Sequence, residues 1–407
     1  MRSVNFYDLC GMQKLTADFI LLPDGKLHRD ITLVLDDAGT VLEMLHSKAD
    51  DAVHHNGILC PGFINSHCHL ELSYMEGAIE RHRQLTGFIE DLVQLRQNAA
   101  ATATDRSVSV PVSVSERASV AAYQSGTQAI GDICNTPDTF ELKSHSPVRY
   151  HSFIELFNLD PAQAKVTFQK GRQLYELALE KKLSASIVPH APYSVPAELH
   201  RLISEFSDTH HGLWSIHSQE TESENEMFYS LSGQLVNFFQ RRGFLSFLDK
   251  PHGMSSIEYV QHYFPSKSRL MLVHNTFTSP GDIDMLKSAG HFNRISFCLC
   301  PKANLYIENT LPDISMLWKN GCKLVVGTDS LASNDTLSVL EELKTIHRHA
   351  PEIPVADLLT WATVNGAEYF GWSDLGRFEK GAKPGVVLIE GAGLDGFERN
   401  ADAERLI

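Results

Sequence analysis

The sequence predicts an α/β fold, a (β/α)8 TIM-type barrel with a small β-sandwich built from both chain ends. Eight apolar strand-like runs alternate with longer helical segments, the runs tend to end in polar clusters, and short β-meander signatures appear at the two ends of the chain. With 407 residues, 43% of them apolar and 21% charged, the chain can bury a large core. It is too long for one ordinary domain unless that domain is a barrel.

From Lys14 to Ile58 the runs ADFILL, DITLVL and VLEML are separated by turn residues such as Pro23-Asp24-Gly25 and Asp36-Asp37-Ala38-Gly39. A matching run, Gly385 to Ile389, follows the turn Gly381-Ala382-Lys383-Pro384 near the other end. Neither end alone has enough strands to cover its apolar face. Residues 1–60 and 375–407 are therefore expected to form one composite β-sandwich, and residues 61–374 the barrel. The eight barrel runs are ILCPGFINSHCH, TQAIGDICN, VRYHSFIELF, SASIVPHAPY, GLWSIHSQE, RLMLVHNTF, RISFCLCP and KLVVGTDS. A doubly wound open sheet is the competing architecture, but no G-x-G-x-x-G or G-x-x-x-x-G-K-[ST] loop follows any run, so phosphate binding by such loops has no support. The stretch Gln94 to Glu116 is rich in Ala, Thr, Ser and Gln, and Val114, Ala118, Ala121 and Ala122 fall at helical spacing. It reads as a helix-loop-helix on the barrel exterior.

A formal net charge of -15 without a local basic patch disfavours nucleic acid and anionic membranes as partners. Seven cysteines (Cys10, Cys60, Cys68, Cys134, Cys298, Cys300, Cys322) form an odd set with no C-x-x-C spacing. That argues against a disulfide framework and a zinc knuckle, and for reduced thiols in the cytoplasm. The stretch Met1 to Phe6 lacks the pattern of a secretory signal, and no apolar run reaches the roughly 20 residues of a membrane helix. The expectation is a soluble protein acting on a small molecule; a homo-oligomer is compatible with the sequence.

In Pro61 to His69, two histidines stand two apart at the end of an apolar strand. Strand alternation points the His67 and His69 imidazoles to one side and Cys68 to the other, which suits two nitrogen ligands on one metal. An isolated H-x-H is better explained by packed or surface histidines. The strand end matters because barrel chemistry sits at the carboxyl ends of the strands. Four later runs end in His190, His217, His274 and Asp329. Each alone reads as a satisfied core histidine or a helix-capping aspartate. Together, three imidazoles and a carboxylate make a site suited to Zn²⁺ or Fe²⁺ with an open position for water.

The order H-x-H, H-x-P-Y, H-x-x-E, strand-end His and T-D-S resembles the amidohydrolase superfamily, in its branch of cytosine, guanine and S-adenosylhomocysteine deaminases and related chlorohydrolases. The resemblance covers nearly the whole chain, including Leu375 to Gly381. It implies one divalent metal, Zn²⁺ ahead of Fe²⁺, on His67, His69, His217 and Asp329, because the fourth run ends in His190 and not in a bridging lysine. It further implies that Asp329 accepts a proton from the attacking water and that Glu220 and His274 handle protons and the developing oxyanion. The competing reading of Glu220 is a solvated loop acid among Glu222, Glu224 and Glu226.

The segments Cys300 to Tyr306, with Asn304, and Gly327 to Asn334 resemble C-P-x-[SA]-N-L and G-T-D-S-x-A-S-N, as in the aminodeoxyfutalosine deaminases of menaquinone synthesis. The implied reaction is hydrolytic deamination of an aminopurine nucleoside. Its expected substrate contacts are His190 and Tyr193 on the barrel rim, Asn304, and Arg81 and Arg83 in the Tyr74 to Arg96 stretch, where a guanidinium would meet a carboxylate tail. The alternatives are a guanine, cytosine or pterin deaminase or chlorohydrolase of the same fold, and a non-catalytic metal-binding barrel. Every expected ligand and acid position is filled, which disfavours the last.

Overall fold

A computed structural model describes residues 11–102, 110–210, 212–248 and 250–407. Cys10, the stretch Met1 to Phe6 and positions 103–109 of the Gln94 to Glu116 segment lie outside the described residues. The chain separates into two compact units, Met1–Asn65 with Ala121–Ala129 and Ser338–Ile407, and Ser66–Val120 with Ile130–Leu337.

In the first unit the strands β1 (Met12–Leu21), β2 (Leu27–His28), β3 (Thr32–Asp36), β4 (Val41–Leu45) and β5 (Val53–Pro61) join β14 (Val386–Gly393) and β15 (Gly396–Arg405). Their order is β15-β14-β5-β1-β3-β4, with β2 on β1. The two chain ends therefore share one sheet, with Leu59 of β5 opposite Leu388 of β14 in an antiparallel pair. Leu15, Ala17, Ile20, Leu33, Leu35, Leu59, Val386 and Leu388 are buried in one apolar cluster with Phe378. Gly57 has φ +117°, and a Cβ there would fall 2.2 Å from the Ile389 carbonyl oxygen, so glycine is what lets β5 approach β14.

The eight predicted runs form β6 (Phe63–Cys68), β7 (Thr127–Cys134), β8 (Arg149–Leu156), β9 (Ser184–Pro189), β10 (Trp214–Ser218), β11 (Leu270–His274), β12 (Ile295–Leu299) and β13 (Lys323–Val326), the last six wholly in the second unit. They make two four-stranded sheets in sequence order, β6-β7-β8-β9 and β10-β11-β12-β13. The pairs β8/β9, β10/β11, β11/β12 and β12/β13 are parallel. All five residues of β10, β11 and β12 are buried, as expected of strands covered on both faces. His217 N–H donates to the His190 carbonyl at 2.9 Å, and Cys68 forms an isolated parallel bridge with Asp329. Among the described residues no helix is long and apolar enough to cross a membrane.

Behind the histidine pair lies a fully buried ion pair. Lys143, on the helix Phe140–His145, reaches Asp132 of β7 at 2.5 Å, with both side chains at 0% exposure. The other Asp132 oxygen accepts the Leu70 N–H at 2.7 Å, one residue past His69. Burial works against the charge on Lys143, but Asp132 and Cys134 outweigh it and push its pKa above the ordinary lysine value. Replacing Lys143 with Met leaves the Asp132 charge buried without its cation, a loss of about 3–5 kcal/mol. Urea unfolding should show that drop, and an unchanged midpoint would contradict it.

Candidate metal centre and active site

The strand ends of the second unit bring four of the predicted residues onto one point. His67 Nε2 and His69 Nε2 are 3.1 Å apart, and His217 Nε2 is 3.4 Å from His69 Nε2. Asp329 Oδ1 lies 3.4 Å from His69 Nε2 and 3.8 Å from His67 Nε2. A tetrahedral ion with metal–ligand bonds of about 2.05 Å separates its ligands by ~3.4 Å, so the three nitrogens and the oxygen have the spacing of a coordination shell. Two of the four are oriented by groups outside the cluster. His217 Nδ1 meets the His190 carbonyl at 2.8 Å, which leaves Nε2 as the coordinating nitrogen. Asp329 Oδ2 accepts the Ser333 hydroxyl at 2.7 Å, leaving Oδ1 toward the histidines.

Backbone geometry contributes as well. The Thr328 and Asp329 N–H groups both donate to the His67 carbonyl, at 3.0 and 3.1 Å. Gly327 permits this approach, because a Cβ there would lie 2.8 Å from that same oxygen. His274 and Asp329 have φ of 74° and 56°, the left-handed region that non-glycine residues seldom occupy.

Electrostatics suits the same role. Burial, followed by His69, His217, His274 and His190, pushes His67 well below the ordinary histidine value; burial and the neighbouring imidazoles do the same to His69. Neutral imidazoles are ligand-competent. Burial raises the Asp329 carboxyl against the opposing Ser333 hydrogen bond. Glu220 is pushed well above the ordinary glutamate value by burial and then by Asp329, Glu308 and Glu224. Its Oε1 stands 3.6 Å from His274 Nε2. Burial is also the main cause holding His274 well below the usual range.

A cavity of about 240 Å³ opens onto this centre and is lined by His69, His190, Tyr193, His217, Glu220, His274 and Asp329, among others. His190 hydrogen-bonds Ser194 at 2.7 Å and is lowered to about 4, chiefly by burial. The other expected contacts sit elsewhere. Arg81 pairs with Asp335 and Arg83 with Asp91, and neither is among the cavity-lining residues. Asn304 lies behind His274, 3.4 Å from its Nδ1, with its amide on Thr276 at 2.7 Å.

Two charged residues that sequence reasoning passed over do line the cavity, Arg96 and Glu155, with Asn135 between them. Arg96 continues the stripe Leu85, Phe88, Leu92 at helical spacing, and that periodicity was the signal available for it. Glu155 is the next-to-last residue of β8, and its Oε1 lies 3.5 Å from His217 Nδ1.

The amidohydrolase family profile matches residues 58–403. An adenosine deaminase of Helicobacter pylori is 26% identical over 340 residues, 82% of this chain and 78% of that protein. An aminodeoxyfutalosine deaminase of Nitratiruptor sp. is 24% identical over 402 residues, 93% and 91% of the two chains. The crystal structure of Helicobacter pylori aminofutalosine deaminase in complex with methylthio-coformycin superposes with a TM-score of 0.76 at 22% identity, covering 97% of this chain and all of that one.

Metal analysis should find close to one divalent ion per chain, and His67→Ala should lose it while the circular dichroism spectrum persists, because a barrel-sized core does not need the metal to fold. Two ions per chain would overturn the four-ligand assignment. Glu220→Gln should keep the metal and lower turnover by roughly 10²–10⁴-fold. Since the raised pKa makes the protonated form the working one, wild-type turnover should be present below that pKa and fall as pH rises through it. The Gln variant should lack this alkaline limb.

Proposed function

This chain belongs to the amidohydrolase family, and on that premise we propose that it is a metal-dependent hydrolytic deaminase of aminopurine nucleosides, of the adenosine, S-adenosylhomocysteine or aminodeoxyfutalosine type. The observation that carries the reading is the buried Glu220, 3.6 Å from His274, beside a three-histidine, one-aspartate set with tetrahedral spacing. Nitrogen and carboxylate donors in that geometry suit Zn²⁺, with Fe²⁺ as the alternative, held as a single ion by His67, His69, His217 and Asp329. The ion supplies a water activated at neutral pH.

The remaining chemistry belongs to the side chains. Asp329 takes the proton of the attacking water. Glu220 delivers its proton to the ring nitrogen next to the amidine carbon, which makes that carbon open to attack. His274, neutral, hydrogen-bonds the oxygen as charge develops on it. A C–O bond forms and the C–NH₂ bond breaks; the proton taken by Asp329 leaves with the nitrogen as ammonia, the proton from Glu220 stays on the ring nitrogen, and the remaining water proton returns to Glu220 as the ring carbonyl forms. His190 and Tyr193 border the space where the ribose lies.

In this reading the eight parallel strands close into a (β/α)8 barrel, supported by the Cys68–Asp329 bridge and by the hydrogen bond from His217 to His190. The shared sheet of residues 1–60 and 375–407 forms the accompanying β-sandwich. The six described cysteines are buried and free, which supports a reducing, cytoplasmic setting.

The metal-analysed protein should release ammonia from adenine nucleosides carrying a thioether or acidic 5′ extension faster than from free adenine, guanine, cytosine or pterins. Binding energy from the remote substituent can position the ring, so truncation should cost rate as well as affinity. Free bases better by about tenfold in kcat/KM, ~1.4 kcal/mol of transition-state binding, would overturn the nucleoside assignment.

A further inference from the structure

Gln219 stands between His217 and Glu220 in the bend that leaves β10, with its backbone in the left-handed region at φ 50°. It is fully buried, and each of its polar groups has a partner. Its N–H donates to Glu224 Oε1 at 3.0 Å, and its carbonyl accepts the Phe277 N–H at 3.0 Å. The side-chain oxygen accepts the Thr278 hydroxyl at 2.6 Å, while Nε2 donates to Asp282 Oδ2 at 3.2 Å and to Asn225 Oδ1 at 3.3 Å. Asp282 also accepts from Ser255 and from Ser279, so the Gln219 amide must turn its nitrogen toward that carboxylate and its oxygen toward Thr278.

These bonds tie two strand ends together. Glu220 follows β10, whereas Phe277 and Thr278 lie in the loop after β11, the strand that ends in His274, and Asp282 lies on the helix Pro280–Ser288 beyond it. Glu220 and His274 both line the catalytic cavity, with Glu220 Oε1 3.6 Å from His274 Nε2, and Gln219 does not line it. The glutamine therefore serves the site through its neighbour. A left-handed backbone suits glycine and strains a longer residue. Here the side-chain hydrogen bonds offset that strain and hold the bend in one arrangement.

We propose that Gln219 is a positioning residue, which fixes the Glu220 carboxyl against His274 by locking the bend after β10 onto the loop after β11. This rests on the reading of Glu220 as the proton donor and adds the part that aims it. Without the amide, the bend still joins β10 to the helix Glu222–Ser230, but Glu220 and His274 are no longer held in register. A misplacement of about 1 Å in a reacting group costs on the order of 10²-fold in rate, so a buried side chain outside the cavity can govern turnover without touching the substrate.

The test uses the zinc-loaded full chain and ammonia release from 5′-methylthioadenosine. Gln219→Met keeps the length of the side chain and removes its amide; Thr278→Val removes the hydroxyl at the other end of the clamp and leaves Gln219 in place. Gln219→Met should lower kcat by about 10–100-fold, with KM within about threefold and the zinc content unchanged. Thr278→Val should lower kcat by about 3–10-fold, the worth of one hydrogen bond, and Thr278→Ser, which keeps the hydroxyl, should recover most of it. In a Glu220→Gln background both Gln219→Met and Thr278→Val should change kcat by less than about twofold, because aim is immaterial once the donor is gone. Equal losses in the two backgrounds, a loss confined to KM, or zinc lost from Gln219→Met would each overturn the proposal. If Gln219→Met does not fold, Thr278→Val decides by the same cycle. Wild-type turnover in Glu220→Gln alone would remove the proton-donor reading and the proposal with it, whereas additive losses remove the proposal and leave that reading standing.

Discussion

The structure of this site follows from one demand: three imidazole nitrogens and a carboxylate oxygen must stand 3.1 to 3.8 Å apart inside a buried cavity. Lone pairs packed that closely repel one another, and burial removes the water that would screen them. The cost is met by preorganisation. The His190 carbonyl orients His217, Ser333 orients Asp329, and the His67 carbonyl gathers the N–H groups of Thr328 and Asp329. The left-handed backbone at His274 and Asp329 belongs to the same arrangement, strain tolerated where the surrounding structure determines the geometry.

Charge is sorted with equal care around the cavity. At the metal-centre end the buried acids Asp329 and Glu220 have imidazoles as their basic neighbours, His67 and His69 beside Asp329 and His274 beside Glu220, and burial raises both. Toward the strands β7 and β8 the positive charge is carried by Arg96, tied to Glu71 and Asn135. Between them the walls are aliphatic and aromatic.

Sequence pattern pointed to the four clustered residues because their signals are local and periodic. Two-residue alternation put His67 and His69 on one side, and His217 and Asp329 each closed an apolar run of recognisable length. The two chain ends could be joined for a similar reason, since β5 and β14 each present an apolar face that their own neighbours in sequence leave open. The cation was harder to place. Arg81, Arg83 and Arg96 share one stretch, and composition does not distinguish an arginine paired with Asp335 or Asp91 from one turned into the cavity. Only the helical register with Leu85, Phe88 and Leu92 separates them. Glu155 and the Lys143–Asp132 pair left no signal, because their partners lie on other strands and helices and the pairing is purely spatial.

The hydrogen bonds from Thr328 and Asp329 to the His67 carbonyl carry a consequence for biosynthesis. They stitch the first of the eight strands to the loop after the last, so the ligand set draws on nearly the full span of the second unit. Local contacts can form β6 and its histidine pair early, but that pair gains its carboxylate only when the loop closing the series has been made and docked, after the slow loss of loop entropy that distant contacts require. The proposed ligand set is therefore complete only at the end of synthesis, and a ribosome-bound or truncated chain lacking Asp329 carries the three histidines without the carboxylate.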